Sequence, residues 1–370
     1  FDNADDLYFN PGPARIPHHH EFLLSYCREF GVGLEIFNNE NRAGLMHSTE
    51  SMDNQPVISR RIIADTRGHI SRLLATAVNQ GALDQELTEE DKSNILLMLQ
   101  RFGGLSSNYD YLGSSRGGFP GQENVGSRQR GEWIDAIDLT ELISDTFWMN
   151  RQGFGEYLNQ QSTMLQPIGG MDKIARAFEV QVGEALITDS IVKEIRKGVD
   201  EVRIVYERFG NEIEVVADFC VCTIPASVLK DIPNDFSSAH QSEITDFNYA
   251  DAGKIAFQSR RFWEQDHNIY GGISWTSQSI TQIWYPNSGF GNFNGVLVGA
   301  YIFGGSAGID FSNQSPQERI NTALSQGANL HSQMTTEVTN GISVSWPKIP
   351  FQLGAWGVST PDVLLTPDDR

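Results

Sequence analysis

A chain of 370 residues, 39% apolar and 20% charged, is long enough for two domains or one composite one. Its 27 Lys plus Arg against 47 Asp plus Glu give a formal net charge of -20, which disfavours nucleic-acid phosphates and anionic lipid as partners. No apolar run approaches the roughly 18 residues of a membrane span, and three cysteines cannot form a disulfide framework.

In chain order, Asn10-Pro11-Gly12-Pro13 is a turn, and Phe22, Leu23, Tyr26, Cys27 and Phe30 recur at helical spacing before Gly31 and Gly33. Three adjacent histidines, His18 to His20, diverge too much on a helix to share one ion, so the run reads as a solvated helix start. Leu34–Phe37 alternates as a strand. Ile62–Asn79 and Lys92–Phe102 are helical in spacing, the second with a capped start at Thr88. The Gly/Ser/Arg stretch from 103 to 131 is a loop, with Arg116, Arg128 and Arg130 expected in solvent.

Met171–Val182 reads as an amphipathic helix capped by Asp172. Ile191–Ile195, Glu201–Phe209 and Ile213–Thr223 read as strands, with Gly210-Asn211 as a two-residue turn. Cys220 and Cys222 are then expected on one buried face, as small core residues beside Phe219 and Val221. Residues 245–310 are strand-rich, Pro316–Thr335 is helical and Ile342–Trp346 is a last strand. A helical block between β-rich stretches is what a chain returning to an earlier layer produces.

General motifs give no enzyme class. Gly31-Val32-Gly33 and Gly153-Phe154-Gly155 lack the third glycine and the preceding strand of a dinucleotide fingerprint. No phosphate loop of the Walker type, zinc motif or nucleophile elbow is present.

Six segments nevertheless occur together in a recognisable order. They are Phe9–Pro17 with Tyr26-Cys27-Arg28, Gly169–Lys173, Ser190-Ile191-Val192, Ala217–Pro225, Gly253-Lys254-Ile255 with Arg261-Phe262-Trp263, and Trp346 with Pro350 and Gly354-Ala355-Trp356. This set resembles the FAD-dependent amine oxidase family, and L-amino-acid oxidases in particular through Gly12-Pro13-Ala14-Arg15-Ile16-Pro17. The resemblance implies an α/β (α+β) chain in which an FAD-binding three-layer domain piece joins a mixed-sheet substrate domain carrying a helical insertion. Residues 1–56 and 246–347 would build the substrate domain and 57–163 the insertion. Residues 164–245 would be the central part of the FAD domain, with 348–370 returning towards it. The family's Gly-rich phosphate loop and its C-terminal flavin segment are expected outside this stretch.

The same resemblance assigns roles. Arg15 would clamp a substrate carboxylate, a task suited to a guanidinium fork. Lys254 would be the catalytic amine that holds a water against flavin N5, although a lysine in a strand also reads as an edge gatekeeper. Tyr285 would give the carboxylate a second hydrogen bond, while its neighbour Trp284 could face the site instead, because adjacent strand residues point oppositely. Trp356 would wall the substrate pocket, and Gly12, Ala14, Arg15, Val192 and Trp346 would contact FAD. The implied reaction converts an L-amino acid, water and O2 to a 2-oxo acid, ammonia and hydrogen peroxide. A decarboxylating monooxygenase and a flavin-free chain that keeps the fold are the alternatives. Oligomeric state stays open, as does a complementary fragment supplying the missing termini. The compartment is undetermined, with a secreted or periplasmic site compatible.

Overall fold

The computed structural model describes residues 1, 7–119 and 131–358. Arg128, Arg130 and the end of the 348–370 segment lie outside these residues. The chain starts with strand β1 (Ile16–Pro17), helix α1 (Glu21–Glu29) and strands β2 (Leu34–Phe37), β3 (Leu45–His47) and β4 (Val57–Ile58). Four helices follow, namely α2 (Ser59–Asn79), α3 (Glu89–Gly103), α4 (Leu139–Ser144) and α5 (Thr146–Gln152). Next come β5 (Met164–Pro167), α6 (Asp172–Val182), β6 (Ser190–Lys197), β7 (Val202–Arg208) and β8 (Asn211–Ala217). Short helices α7 (Ala226–Leu229) and α8 (Ser238–Asp246) lead to β9 (Asn248–Tyr249), β10 (Gly253–Arg260) and α9 (Phe262–Gln265). The chain closes through β11 (Ile273–Thr276), β12 (Gln282–Trp284), β13 (Asn294–Ile302), α10 (Gly305–Asn313), α11 (Pro316–Gly327), β14 (Thr339–Ser345) and β15 (Gly357–Val358).

The main layer is a seven-stranded mixed sheet in the order β14-β10-β13-β12-β11-β3-β4. Its strands come from both ends of the chain, because β3 joins β11 in parallel across more than two hundred residues. Strand parity divides the side chains between two faces. Ile255, Phe257, Ile283, Tyr285 and Leu297 pack on one face into the largest core, against α11. Trp284, Val298 and Tyr301 turn to the other face, where Phe37, Met164 and Trp275 join them. Burying each large apolar side chain in such a core contributes about 1.5–3 kcal/mol.

A small antiparallel sheet, β1-β5-β2, lies beside this layer and covers α1 through Ile16, Leu34, Leu165 and Cys27. Helix α3 begins with a capping box in which Thr88 and Asp91 satisfy each other's backbone amides. Its carbonyl end is met by Arg116, whose guanidinium donates to the carbonyls of Phe102 and Arg101, so this residue acts as a helix cap instead of a free loop cation. Asp65 of α2 accepts from Tyr111 Oη at 2.6 Å and from Ile137 N at 2.9 Å, tying the helical block to the loop around it.

Strands β6, β7 and β8 form a separate three-stranded meander. Its tight turn is Phe209-Gly210, one residue earlier than the sequence indicates, since Arg208 pairs with Asn211 and both turn residues have positive φ. Strand β8 stops at Ala217, well short of Thr223. Cys220 and Cys222 are exposed, contrary to their expected burial, because residues 218–225 have no ladder neighbour among the described residues. Asp172 does not cap α6; it pairs with Arg176 one turn on, at 2.7 Å. Helix α11 ends at Gly327, and Trp346 begins a 3-10 turn after β14 instead of ending that strand.

Candidate active site

Arg15 sits between the Gly12-Pro13 turn and β1. Ile16 is anchored opposite Leu165 and fully buried in the α1 core. The preceding side chain, Arg15, meets the aromatic face of the large sheet. Its guanidinium lies 4.6 Å from the Trp284 ring centroid and 5.9 Å from that of Phe154. Nη1 donates to Asn39 Oδ1 at 3.0 Å. No Asp or Glu forms an ion pair with Arg15 among the described residues. Burial lowers the guanidinium's pKa to about 10, with Tyr301 opposing that shift.

Lys254 lies on β10, which has β13 on one side and β14 on the other, so it is no edge residue. It is 2% exposed. Nζ donates to the carbonyls of Gly12 at 2.6 Å and Asn10 at 3.0 Å. It also lies 4.4 Å from the Tyr301 ring centroid and 5.0 Å from that of Trp284. Burial first, and the positive charge of Arg15 second, pull the amine down from 10.5 to about 7. A guanidinium near the amino end and an ammonium two-thirds along the chain thus converge on one indole ring.

These groups line a cavity of about 480 Å³ bounded also by Gly12, Ala14, Trp346 and Trp356. Among the described residues its lining holds two cations and no carboxylate. Trp346 donates from Nε1 to Pro11 O at 3.0 Å, laying its indole along the Gly-Pro turn. A Cβ at residue 12 would come within 3.0 Å of Trp346 Cζ2, so glycine is what allows this approach. Trp356 is 42% exposed and packs edge-on to Phe303 at 5.9 Å, forming an outer wall. A flat aromatic wall, a glycine turn and a buried amine suit the ring system of a flavin. Lys254, Ala14 and Trp284 also border a second, larger cavity of about 650 Å³ between the two sheets.

Two expected site residues do not line the 480 Å³ cavity, although Tyr285 borders the larger one. The Tyr285 hydroxyl is turned into the opposite core, 2.6 Å from both Ser274 Oγ and His331 Nε2, and burial raises its pKa. The residue facing Arg15 is Trp284, the alternative that strand alternation left open. Val192 lies half-buried on β6, paired with Tyr206 in the separate meander, and borders neither cavity. The sequence reading missed Tyr301. It stands opposite Lys254 across the β10–β13 ladder, lines the cavity, and its hydroxyl has no hydrogen-bond partner among the described residues. Desolvation raises its pKa to about 12 although Arg15 pulls the other way. Asn39, which holds Arg15, was missed as well.

The chain is similar to several relatives and solved structures. YobN of Bacillus subtilis (strain 168) is 24% identical over 379 residues, which cover 97% of this chain and 75% of YobN. An L-amino-acid oxidase of Bothrops jararacussu is 26% identical over 81% of this chain, which spans 60% of that relative's length. Among solved structures, putrescine oxidase bound to putrescine superposes with a TM-score of 0.56 at 15% identity, covering 93% of this chain and 76% of that one. Cyclohexylamine oxidase from Brevibacterium oxydans gives 0.55 at 11% identity, covering 96% and 79%. At such identities the structures speak to the fold alone. The profile of flavin-containing amine oxidoreductases matches residues 1–368, and the chain belongs to this FAD-dependent family.

Proposed function

We propose that this chain carries the substrate site of an L-amino-acid oxidase, which converts an L-amino acid, water and O2 to a 2-oxo acid, ammonia and hydrogen peroxide. One observation carries the reading: the cavity presents two cations, the part-buried Arg15 and the buried Lys254, with no carboxylate in its lining among the described residues. A simple amine enters such a site as a third positive charge. An α-amino acid brings its own carboxylate, which the Arg15 fork can accept bidentately.

Bound FAD supplies the acceptor for the hydride leaving the substrate α-carbon. The protein's residues orient and exclude. Arg15 fixes the carboxylate, with Tyr301 replacing Tyr285 as the hydroxyl within the same cavity. Trp284 sets the floor beneath both cations, and Trp356 with Phe303 closes the outer side. Lys254, close to half-protonated at neutral pH, holds or releases a proton at Nζ beside the reacting centre. In this reading residues 1–56 and 246–347 serve the substrate, 57–163 cover it, and 164–245 with 348–370 serve the flavin.

The test is a panel of L-amino acids and their decarboxylated amines, assayed with the FAD-loaded full-length protein. Peroxide and 2-oxo acid are followed together. Turnover of amino acids in preference to the amines supports the assignment. Turnover of amines alone overturns it, as does formation of an amide with carbon dioxide. An Arg15→Ala variant should weaken amino-acid binding by about 2–5 kcal/mol, roughly 30- to several-thousand-fold, while changing little for amines.

A further inference from the structure

Arg15 is held by a neutral partner, although a carboxylate would be the more common companion for a part-buried guanidinium. Asn39 lies between β2 and β3 and is 2% exposed. Its Oδ1 accepts from Arg15 at 3.0 Å. Its Nδ2 donates to the Gln160 backbone carbonyl at 3.0 Å and to Gln160 Oε1 at 3.2 Å. Both amide hydrogens are therefore spent on Gln160, which fixes which end of the amide faces the guanidinium. Reversing the amide would put donor against donor.

The adjacent acid does not compensate. Glu40 is turned towards Arg42, 3.6 Å away, and both are exposed. The other groups near Arg15 include the rings of Trp284 and Phe154, the Tyr301 hydroxyl and the Lys254 amine, none of them anionic. The fold thus part-buries a guanidinium and orients it, yet among the described residues supplies no counter-ion. Replacing one amide by a carboxylate of nearly the same shape would supply one.

We infer that Asn39 determines the substrate class of this enzyme, orienting Arg15 through an uncharged acceptor so that the positive charge stays available to the carboxylate of the substrate. This rests on the amino-acid reading above and adds to it a residue that touches neither substrate nor flavin. Asn39 is a positioning residue, and Gln160 positions it in turn. A link runs from the segment ahead of β5, through the β2–β3 loop, to the substrate site.

The experiment compares wild type with Asn39→Asp, Asn39→Ser and Gln160→Ala in the FAD-loaded full-length protein. For each, kcat and KM are measured for the amino acid turned over fastest and for the amine formed by its decarboxylation. Binding of 3-phenylpropanoate is followed by calorimetry as a readout independent of turnover. Asn39→Asp should reduce kcat/KM for the amino acid at least 100-fold, chiefly through KM. The amine should be unchanged or improved, and 3-phenylpropanoate binding should be lost. Asn39→Ser adds no charge and should keep the preference for the amino acid, with KM raised 3- to 30-fold. Gln160→Ala should raise KM for the amino acid alone, and it carries the test if Asn39→Asp fails to fold. An unchanged ratio of amino acid to amine in Asn39→Asp overturns the inference, as does an equal loss for both substrates in Gln160→Ala. A wild-type enzyme that oxidises only amines removes the parent reading, whatever the variants do.

Discussion

Lys254 Nζ donates to the Gly12 carbonyl at 2.6 Å, across 242 residues of sequence. This bond ties the start of strand β10 to the turn that delivers Arg15. Position and charge of the two cations are therefore coupled: the contact that places them also sets how strongly each disfavours the other's ionisation.

The first prediction concerns pH. Lys254 loses its proton near pH 7, so the cavity falls from two positive charges to one as pH rises through that value. Affinity for a carboxylate ligand should decline over the same range, and Lys254→Met should flatten the profile. Stability has the opposite slope. Between about 7 and 10.5 the unfolded chain binds more protons than the folded one, so stability contributed by this group rises with pH there. The slope is at most about 1.4 kcal/mol per pH unit. Denaturant titrations of wild type and Lys254→Met at several pH values measure it; parallel curves would count against the assignment.

The two tyrosines should separate cleanly. Tyr301→Phe removes an unpartnered hydroxyl from the cavity and should reduce kcat/KM for an amino acid roughly 10- to 100-fold, as for a hydrogen bond to a charged group. Folding stability should hardly change. Steady-state kinetics with denaturation on the same preparation checks both.

Tyr285→Phe should behave in reverse. It strips Ser274 and His331 of a buried partner and should cost about 1–3 kcal/mol of stability. KM should stay within about twofold of wild type. A large KM effect would return Tyr285 to the substrate site.

Gly12→Ala tests the flavin side. The added methyl meets Trp346 at 3.0 Å, so the indole must shift slightly against the turn. Retained FAD, read from the visible spectrum after gel filtration, should fall relative to wild type at equal protein concentration. Full retention would show that this close approach does not matter for the cofactor.

Arg15 and Lys254 were singled out by the family resemblance that motif order carries, since by local pattern alone a lysine in a strand reads as an edge gatekeeper. Which of Trp284 and Tyr285 faces the cavity depends on strand parity, and a one-residue shift exchanges the two faces. The register slip between Ile255 and Ala256 blurs that parity further. Tyr301 and Asn39 were illegible for another reason. Their importance lies in partners 47 and 24 positions away, Lys254 across the ladder and Arg15 across a loop, and no local spacing encodes such contacts. The strand expected to continue to Thr223 has the right composition, but composition alone gives no neighbour to pair with.

That unpaired stretch matters at the bench. Phe219 and Val221 are each 89% exposed, on a segment that also shows the free thiols Cys220 and Cys222 to solvent. An open backbone edge with greasy side chains and oxidisable sulfurs is a nucleus for clumping. Solutions of this polypeptide by itself should scatter light increasingly with concentration, and on SDS gels without reductant they should show cross-linked multimers that dithiothreitol dissolves.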